Sequence, residues 1–265
     1  MTDNEDRLPL DTPTSIAPER WFDEHYRGAA RQVVDFLTAD GIPLSGKAMA
    51  DIGSGDGVID LGILHAADPA KIVGYDVSQT DVEALREMAA EAGVADSFPD
   101  AERLAFVESD ARHVPAASAS FDVVFSWSTF EHVSHPTTML AEVRRILRPD
   151  GVFFLQIWPL YYSMHGGHLW YSIRKPFPHL RMTDDEIHAA VEGKTATDPR
   201  REAWDEYQSL NRLTLDDLHR GMLVAGLRAT KVELVSETVH LPIEVGHVPL
   251  SALAISGVKL LAVPV

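Results

Sequence analysis

A short apolar run that stops at a cluster of glycines constrains the fold more than any other feature of this chain. The run is Lys47 to Ile52, and it leads directly into Gly53-Ser54-Gly55-Asp56-Gly57. The next residues, Gly57 to Ala67, have the apolar pattern of a helix. A short buried strand is typical of a parallel sheet, and glycines after it permit positive φ and let a ligand lie against bare backbone. The segment therefore predicts a strand, a ligand-binding turn and a helix in an α/β protein.

Strands and helices alternate through the rest of the first 158 residues, which indicates βαβ units in a parallel sheet. The predicted strands are Lys47–Ile52, Lys71–Val77, Leu104–Glu108, Phe121–Trp127 and Val152–Trp158. The predicted helices are Pro18–Ala39, Gly57–Ala67, a helix with Ser78 as N-cap that ends near Gly93, and Pro136–Leu147, which a Pro149-Asp150-Gly151 turn closes.

The alternation breaks after Trp158, where an insertion over residues 159–212 is expected to form a lid. Pro159 to Leu180 is loop-rich, and Asp184 to Tyr207 is charged and helical with an interruption near Asp198-Pro199. A helix over Thr214–Ala225, with a capping box of Thr214 and Asp217 and a stop at Gly226, leads to two late strands, Arg228–Thr238 and Val258–Val265. Residues 1–17 are expected to be a flexible tail ahead of one domain over 18–265.

The composition excludes several classes of partner and site. The chain has 23 Lys and Arg against 40 Asp and Glu, a net charge of −17, so nucleic acid is not an expected partner. It has no cysteine, which excludes disulfides and thiolate metal sites and fits a cytoplasmic location. No apolar run is long enough to span a membrane. The sequence specifies no oligomeric state.

The glycine loop itself favours a cationic ligand. Its spacing is G-x-G-x-G, and Val58 stands where the dinucleotide fingerprint has a third glycine. Asp51 and Asp56 would repel a pyrophosphate, whereas S-adenosylmethionine (SAM) carries a sulfonium and an ammonium. Asp76, at the end of the second strand, suits ribose hydroxyls. An NAD(P)-dependent oxidoreductase and a plain strand-to-helix turn are the alternatives.

Four blocks give the chain a family resemblance over about Met49 to Ile157: ADIGSGDG, VGYDVS, ESDARHVP with FDVVFSWSTFEHV, and EVRRILRPDGVFFLQI. In order and spacing they resemble the class I SAM-dependent methyltransferases, especially the type 11 small-molecule group. The resemblance implies a Rossmann-like sheet of seven mostly parallel strands with the last antiparallel. It also implies that the cofactor is bound by Asp51, Gly53, Gly55, Asp76, Asp110, Ala111 and Ser126. Asp110 could instead cap a turn.

Methyl transfer needs an aligned acceptor and, for a hydroxyl, a base. Histidine is the natural base, and the candidates are His132, with Glu131 orienting it, and His168 of the lid. The lid also offers His165 and the aromatic rings of Tyr161, Tyr162, Trp170 and Tyr171 to a sugar or aromatic acceptor, and Gly166-Gly167 is expected to bend the loop close to the ligand.

No metal site is predicted from these residues. Some relatives bind Mg²⁺ through a carboxylate at the position of Ser128, so Mg²⁺ is possible but unsupported, and two histidines in HGGH without a placed carboxylate are weak evidence. The expected function is O-methylation of a small-molecule acceptor, a sugar or natural-product hydroxyl or carboxylate. A SAM-binding protein without catalysis is a further alternative.

Overall fold

The computed structural model describes residues 18–196 and 201–265, and its centre is a seven-stranded sheet in the order β3-β2-β1-β4-β5-β7-β6. The strands are β1 Ala48–Ile52, β2 Lys71–Asp76, β3 Leu104–Glu108, β4 Phe121–Trp127, β5 Leu147–Ile157, β6 Leu227–Ser236 and β7 Ile255–Pro264. β1 to β5 run parallel, and β7 pairs antiparallel with both β5 and β6. The predicted sheet with an antiparallel last strand is confirmed.

Helices cover both faces of this sheet. They are α1 Pro18–Asp23, which continues through a π-helical turn Glu24–Ala29 into α2 Ala30–Thr38, then α3 Val58–Ala67, α4 Val82–Glu91, α5 Pro136–Ile146, α6 Pro178–Arg181, α7 Asp184–Val191, α8 Ala203–Ser209, α9 Leu215–Ala225 and α10 Leu250–Ala254. Buried side chains of α5 and α9 share one core with the sheet, and those of α2, α3 and α4 share the other. The parallel strands are therefore buried on both faces, which is why their sequences are nearly continuous apolar runs.

Several element boundaries differ from the prediction, and two of the differences have a clear local cause. The N-cap of α4 is Asp81, whose carboxylate accepts hydrogen bonds from the backbone of Glu83 and Ala84, whereas the N–H of Ser78 is bonded to Asp76. Asp81 captures the helix start because its side chain reaches two unpaired N–H groups of the first turn. The expected turn at Pro149-Asp150-Gly151 lies inside β5 as an irregularity, where the register to β4 shifts between Phe121 and Val123. The capping box of Thr214 and Asp217 on α9 is present as expected.

The insertion between β5 and α9 has a small core of its own. Tyr161, Leu169, Ile187, Val191 and Tyr207 are among its buried members. Gly166 and Gly167 allow close approach to protein rather than to a ligand, because added Cβ atoms would lie 2.0 Å from the Tyr161 carbonyl and 2.8 Å from the His179 ring. The lid is thus a packed layer over the carboxyl edge of the sheet.

Two predictions fall on residues outside the described part of the chain: the flexible tail over 1–17 and the interruption at Asp198-Pro199. Within residues 18–196 and 201–265, no helix combines the length and the apolar character needed to cross a membrane.

Candidate active site

The glycine loop between β1 and α3 forms a close-packed cradle. Gly53, Gly55 and Gly57 have φ of 86°, 53° and 77°, conformations that L-residues with a side chain rarely adopt. A Cβ on Gly53 would lie 2.1 Å from Cγ2 of Thr129, which follows β4, so the two strand ends touch at this point. The loop therefore presents bare backbone at the switch point of the sheet, where the strand order reverses between β1 and β4.

Asp76 fastens this cradle to the end of β2. One carboxylate oxygen accepts the Gly55 N–H at 3.0 Å, and the other accepts the Ser78 N–H at 3.0 Å. The side chain is partly exposed, and each carboxylate oxygen can accept a second hydrogen bond. Asp76 can hold the loop and two ribose hydroxyls at the same time.

Asp51 lies beneath the loop rather than at its surface. Asp51 is 2% exposed, and it faces Asp60 of α3, which is fully buried. Oδ1 of Asp51 and both carboxylate oxygens of Asp60 have no hydrogen-bond donor in the described residues. Burial and the mutual repulsion of the two carboxyls raise the pKa of Asp51 and burial raises that of Asp60, so the pair is expected to retain a proton.

Replacing Asp60 with asparagine is expected to stabilise the fold at neutral pH by about 1–3 kcal/mol, because an amide N–H would satisfy Asp51. Carboxyls with raised pKa values ionise more readily in the unfolded chain. The loss in free energy of unfolding that these two carboxyls cause is therefore absent below the ordinary carboxyl pKa near 4, and it grows as the pH rises. Urea unfolding across pH 4 to 8 measures it, and the advantage of Asp60→Asn should shrink towards pH 4.

The matched control is Glu87→Gln, which removes an exposed carboxylate from α4. It should change the free energy of unfolding by less than about 0.5 kcal/mol at every pH. An Asp60→Asn variant that is less stable than the wild type at pH 7 would contradict the shared-proton arrangement.

The remaining predicted cofactor residues occupy different settings. Ser126 was predicted to face the cofactor. It is fully buried, and its hydroxyl donates to the Ile52 carbonyl at 2.6 Å, so this hydroxyl joins β4 to β1. Asp110 is exposed; its Oδ1 accepts the N–H groups of Arg112 and His113, which makes it a turn residue whose other oxygen stays available to an adenine edge. Ala111 is partly exposed beside it.

Helix α1 lies against the loop from outside. The Trp21 indole N–H donates to Asp56 at 2.9 Å, and the ring stacks on His25 with centroids 3.9 Å apart. The N–H of Val58 also bonds to Asp56 and so caps the start of α3. Asp56 thus docks the N-terminal helix on the glycine loop.

The three residues predicted to be catalytic lie together at the carboxyl end of β4. Glu131, His132 and His168 each offer one ligand atom, and these atoms lie within 4.8 Å of one another. The two histidine rings meet edge to face with centroids 5.1 Å apart. His168 comes from the lid, 36 residues along the chain, and its φ of 57° is a left-handed conformation. These three residues are called the Glu–His–His cluster below.

Side chains of α8 orient both rings of the cluster. Nδ1 of His168 is 2.6 Å from a carboxylate oxygen of Glu206, and both side chains are buried. Nδ1 of His132 is 2.7 Å from the Ser209 hydroxyl, whose own hydrogen is donated to the Glu206 carbonyl. A carboxylate and a hydroxyl that has already donated can only accept, so each imidazole carries hydrogen on Nδ1. In the neutral rings the lone pairs are therefore on Nε2.

Burial sets the charge state of the cluster. It raises the pKa of Glu131 to about 8, and it lowers the pKa of His132 to about 2 with help from His168 and Arg201. Both Glu131 oxygens and Nε2 of His168 are buried without a hydrogen-bond partner in the described residues. His132 is thus a neutral imidazole and a weak base.

Residues that sequence reasoning missed hold this arrangement in place. The Asn211 amide donates to the carbonyls of Phe130 and Val133 at 2.5 and 2.8 Å and so fixes the turn that carries Glu131. Gln156 accepts hydrogen bonds from the N–H and the hydroxyl of Ser128. With Glu206 and Ser209 they are ordinary polar residues in sequence, and of the four only Glu206 lies within the helical segment predicted over Asp184–Tyr207.

Known proteins resemble the sheet-forming part of the chain. Residues 50–155 match the family profile described as a methyltransferase domain. The ubiquinone biosynthesis O-methyltransferase of Actinobacillus pleuropneumoniae is 28% identical over 122 residues, 46% of this chain and 50% of that protein. The 27-O-demethylrifamycin SV methyltransferase of Amycolatopsis mediterranei is 31% identical over 134 residues, 49% of this chain and 46% of that one. The chain thus spans about half the length of these curated relatives.

Among solved structures, geranyl diphosphate methyltransferase in complex with SAM superposes with a TM-score of 0.57 and 16% identity over 94% of this chain and 90% of that one. This likeness extends the agreement in fold from the matched segment to nearly the whole chain. Residues 50–155 thus match the methyltransferase-domain family, and the chain has the Rossmann-like class I methyltransferase fold.

Proposed function

We propose that this protein transfers the methyl group of SAM to a hydroxyl or carboxylate oxygen of a small-molecule acceptor. One observation carries the proposal: the glycine cradle with Asp76 at its edge lies next to the Glu–His–His cluster, because Thr129 contacts Gly53 and Glu131 follows two residues later. A methyl donor and a group that activates an acceptor are needed at one place, and the ends of β1, β2 and β4 supply both.

The residues present fit SAM on the evidence of the cradle. A Cβ at Gly53 or at Gly57 would fall within 2.4 Å of a neighbouring side chain, so these glycines pack the loop against Thr129 and Phe106, and their positive φ shapes the turn on which a ligand would lie. Gly53 and Gly55 would lie along the methionine and ribose portions, Asp76 would accept the ribose hydroxyls, and Asp110 with Ala111 would face the adenine. When bound, SAM supplies a sulfonium-activated methyl group.

The chain's own residues have two tasks in this reaction. The first is to hold the acceptor oxygen in line with the methyl carbon, because alignment accounts for much of the rate of such a displacement. The second is to accept the proton that a hydroxyl loses as the new oxygen–carbon bond forms and the carbon–sulfur bond breaks. Nε2 of His168 suits the second task, since Glu206 fixes the ring through Nδ1 and would stabilise the imidazolium.

Oxygen as the acceptor atom is supported by the names of the relatives, two of which are O-methyltransferases of a quinone pathway and of a rifamycin. The lid adds aromatic rings beside the cluster, with Trp170 centred 5.7 Å from His168 and 5.6 Å from Trp158. Rings in such an arrangement suit a flat or sugar-like small molecule. The net charge of −17 disfavours a nucleic acid acceptor.

Isothermal titration calorimetry with SAM and with S-adenosylhomocysteine tests the cofactor half of the proposal. We expect one site with a Kd well below about 1 mM for both ligands, equivalent to more than about 4 kcal/mol of binding free energy. Asp76→Asn should weaken both at least about tenfold by removing a charged acceptor. Glu83→Gln removes an exposed carboxylate from α4 and should bind both ligands like the wild type.

Binding of NADH with no binding of either SAM or S-adenosylhomocysteine would overturn the proposal in favour of an oxidoreductase. Tight SAM binding without methylation of any acceptor in a panel of phenols, sugars and carboxylic acids would instead support a binding protein.

A further inference from the structure

We infer that the Glu–His–His cluster is a binding site for a divalent first-row transition-metal ion, with Glu131, His132 and His168 as ligands and Glu206 as the group that orients His168. The ligand atoms of the three residues converge within 4.8 Å. One carboxylate and two imidazoles are a ligand set that such ions take in enzymes. The inference concerns ion binding, which can be measured without methyl transfer.

The hydrogen-bond pattern around the cluster is that of a metal site. Nδ1 of His168 is engaged by Glu206 and Nδ1 of His132 by Ser209, so Nε2 is the free ligand atom of each neutral ring. Metal-bound histidines characteristically donate their other N–H to a carboxylate or a similar acceptor, which fixes the tautomer. Here two independent acceptors on one short helix, α8, do this for both rings.

The unpartnered atoms give a second, independent argument. Glu131 is 3% exposed and both of its oxygens lack a partner, as does the buried Nε2 of His168, within residues 18–196 and 201–265. Buried polar atoms without partners cost free energy, and several acceptors that face one another cost more. A cation at their centre would satisfy all of them together.

The chemistry of the ligands selects the ion. Mg²⁺ and Ca²⁺ take oxygen ligands, whereas this cluster offers one carboxylate, and the residue at position 128 is a serine whose hydroxyl donates to Gln156. Two imidazoles with one carboxylate suit Zn²⁺, Fe²⁺ or Co²⁺. Three protein ligands leave a coordination position open, as in catalytic zinc sites. With an ion bound, Nε2 of His168 is a ligand and no longer a base, and the ion at this open position would instead favour loss of the acceptor's proton to solvent. That role of the ion rests on the proposed function.

The test is calorimetry on chelator-treated full-length protein, in the absence of SAM, with Zn²⁺, Co²⁺ and Mg²⁺ titrated separately. We expect one equivalent of Zn²⁺ or Co²⁺ to bind with a Kd of about 1 µM or tighter, and Mg²⁺ to bind at least about 100-fold more weakly. Glu131→Gln and His168→Ala should abolish binding, and Glu206→Gln should weaken it about 10- to 100-fold. His165→Ala, which removes the other histidine of HGGH, should bind Zn²⁺ like the wild type.

Absence of Zn²⁺ binding by the wild type would overturn the inference, as would equal binding by the wild type and a folded His168→Ala variant. Loss of Zn²⁺ binding in His165→Ala would mean that His165 is a ligand and that the proposed ligand set is wrong. Circular dichroism accompanies each titration to separate loss of binding from loss of folding, and the visible spectrum of Co²⁺ on the wild type reports nitrogen and oxygen ligation independently. Methylation by metal-free protein would remove the ion from the reaction but leave the proposed function intact.

Discussion

Gly53→Ala is expected to destabilise the protein by about 3 kcal/mol or more and to abolish measurable SAM binding. The new Cβ would lie 2.1, 2.4 and 2.7 Å from Cγ2, Oγ1 and Cβ of Thr129. At these distances either the glycine loop or the segment with Thr129 must move. Thr129 cannot simply rotate away without loss, because its hydroxyl bonds to the carbonyls of Gly53 and Trp127. Overpacking costs about 1–3 kcal/mol, and a left-handed backbone costs alanine about 1–2 kcal/mol more.

Gly93→Ala separates these two contributions. Gly93 has a φ of 74°, close to the 86° of Gly53, but a Cβ there would meet no atom within 4 Å. Its substitution should therefore cost only the backbone contribution, about 1–2 kcal/mol, and leave SAM affinity unchanged. Urea unfolding and calorimetry on the two variants give both quantities.

A double variant tests the contact itself. If the clash with Thr129 is the cause, adding Thr129→Gly to Gly53→Ala should recover part of the lost stability, with a coupling energy of about 1 kcal/mol or more. Equal effects at Gly53 and Gly93, or strictly additive effects at Gly53 and Thr129, would mean that the strand ends of β1 and β4 do not pack as described.

The fold was largely predictable because its signals are local. Each parallel strand is a short apolar run, and the runs 104–108 and 121–127 were predicted with the bounds that the structure has. The errors lie where two local solutions compete. Ser78 and Asp81 are both good N-caps, and Asp81 prevails because its carboxylate accepts the N–H groups of both Glu83 and Ala84.

The site was predictable residue by residue but not as an arrangement. The chain order indicates that Glu131 and His132 lie at the rim of β4, whereas nothing local places His168 beside them. The carboxylate that HGGH lacks in sequence is provided in space by Glu131, and Glu206 and Ser209 arrive on α8 through packing of the lid core. For Ser126 the position in the sequence leaves two roles open, since a small polar residue at a strand end can face a ligand or bond across the sheet as it does here.

His168→Ala is expected to lower kcat for methyl transfer by about 10²- to 10⁴-fold while SAM affinity stays within about twofold of the wild type. The variant removes the buried, unpartnered Nε2 of His168, and it leaves the glycine cradle and Asp76 untouched. An effect on kcat without one on cofactor binding identifies an interaction made during the chemical step. Release of S-adenosylhomocysteine with a phenolic or sugar acceptor, together with calorimetry, measures the two quantities.

Two companion variants show whether the effect belongs to the ring or to the lid. Glu206→Gln keeps His168 but replaces its charged partner with a neutral amide, so a smaller loss of about 10- to 100-fold is expected, as for partners that orient a catalytic or ligating histidine. His188→Ala changes an exposed histidine on α7 that packs on Trp204 and should have the kcat of the wild type. If His188→Ala and His168→Ala lower kcat equally, the loss comes from a loosened lid. If His168→Ala keeps full turnover, the proton is accepted elsewhere.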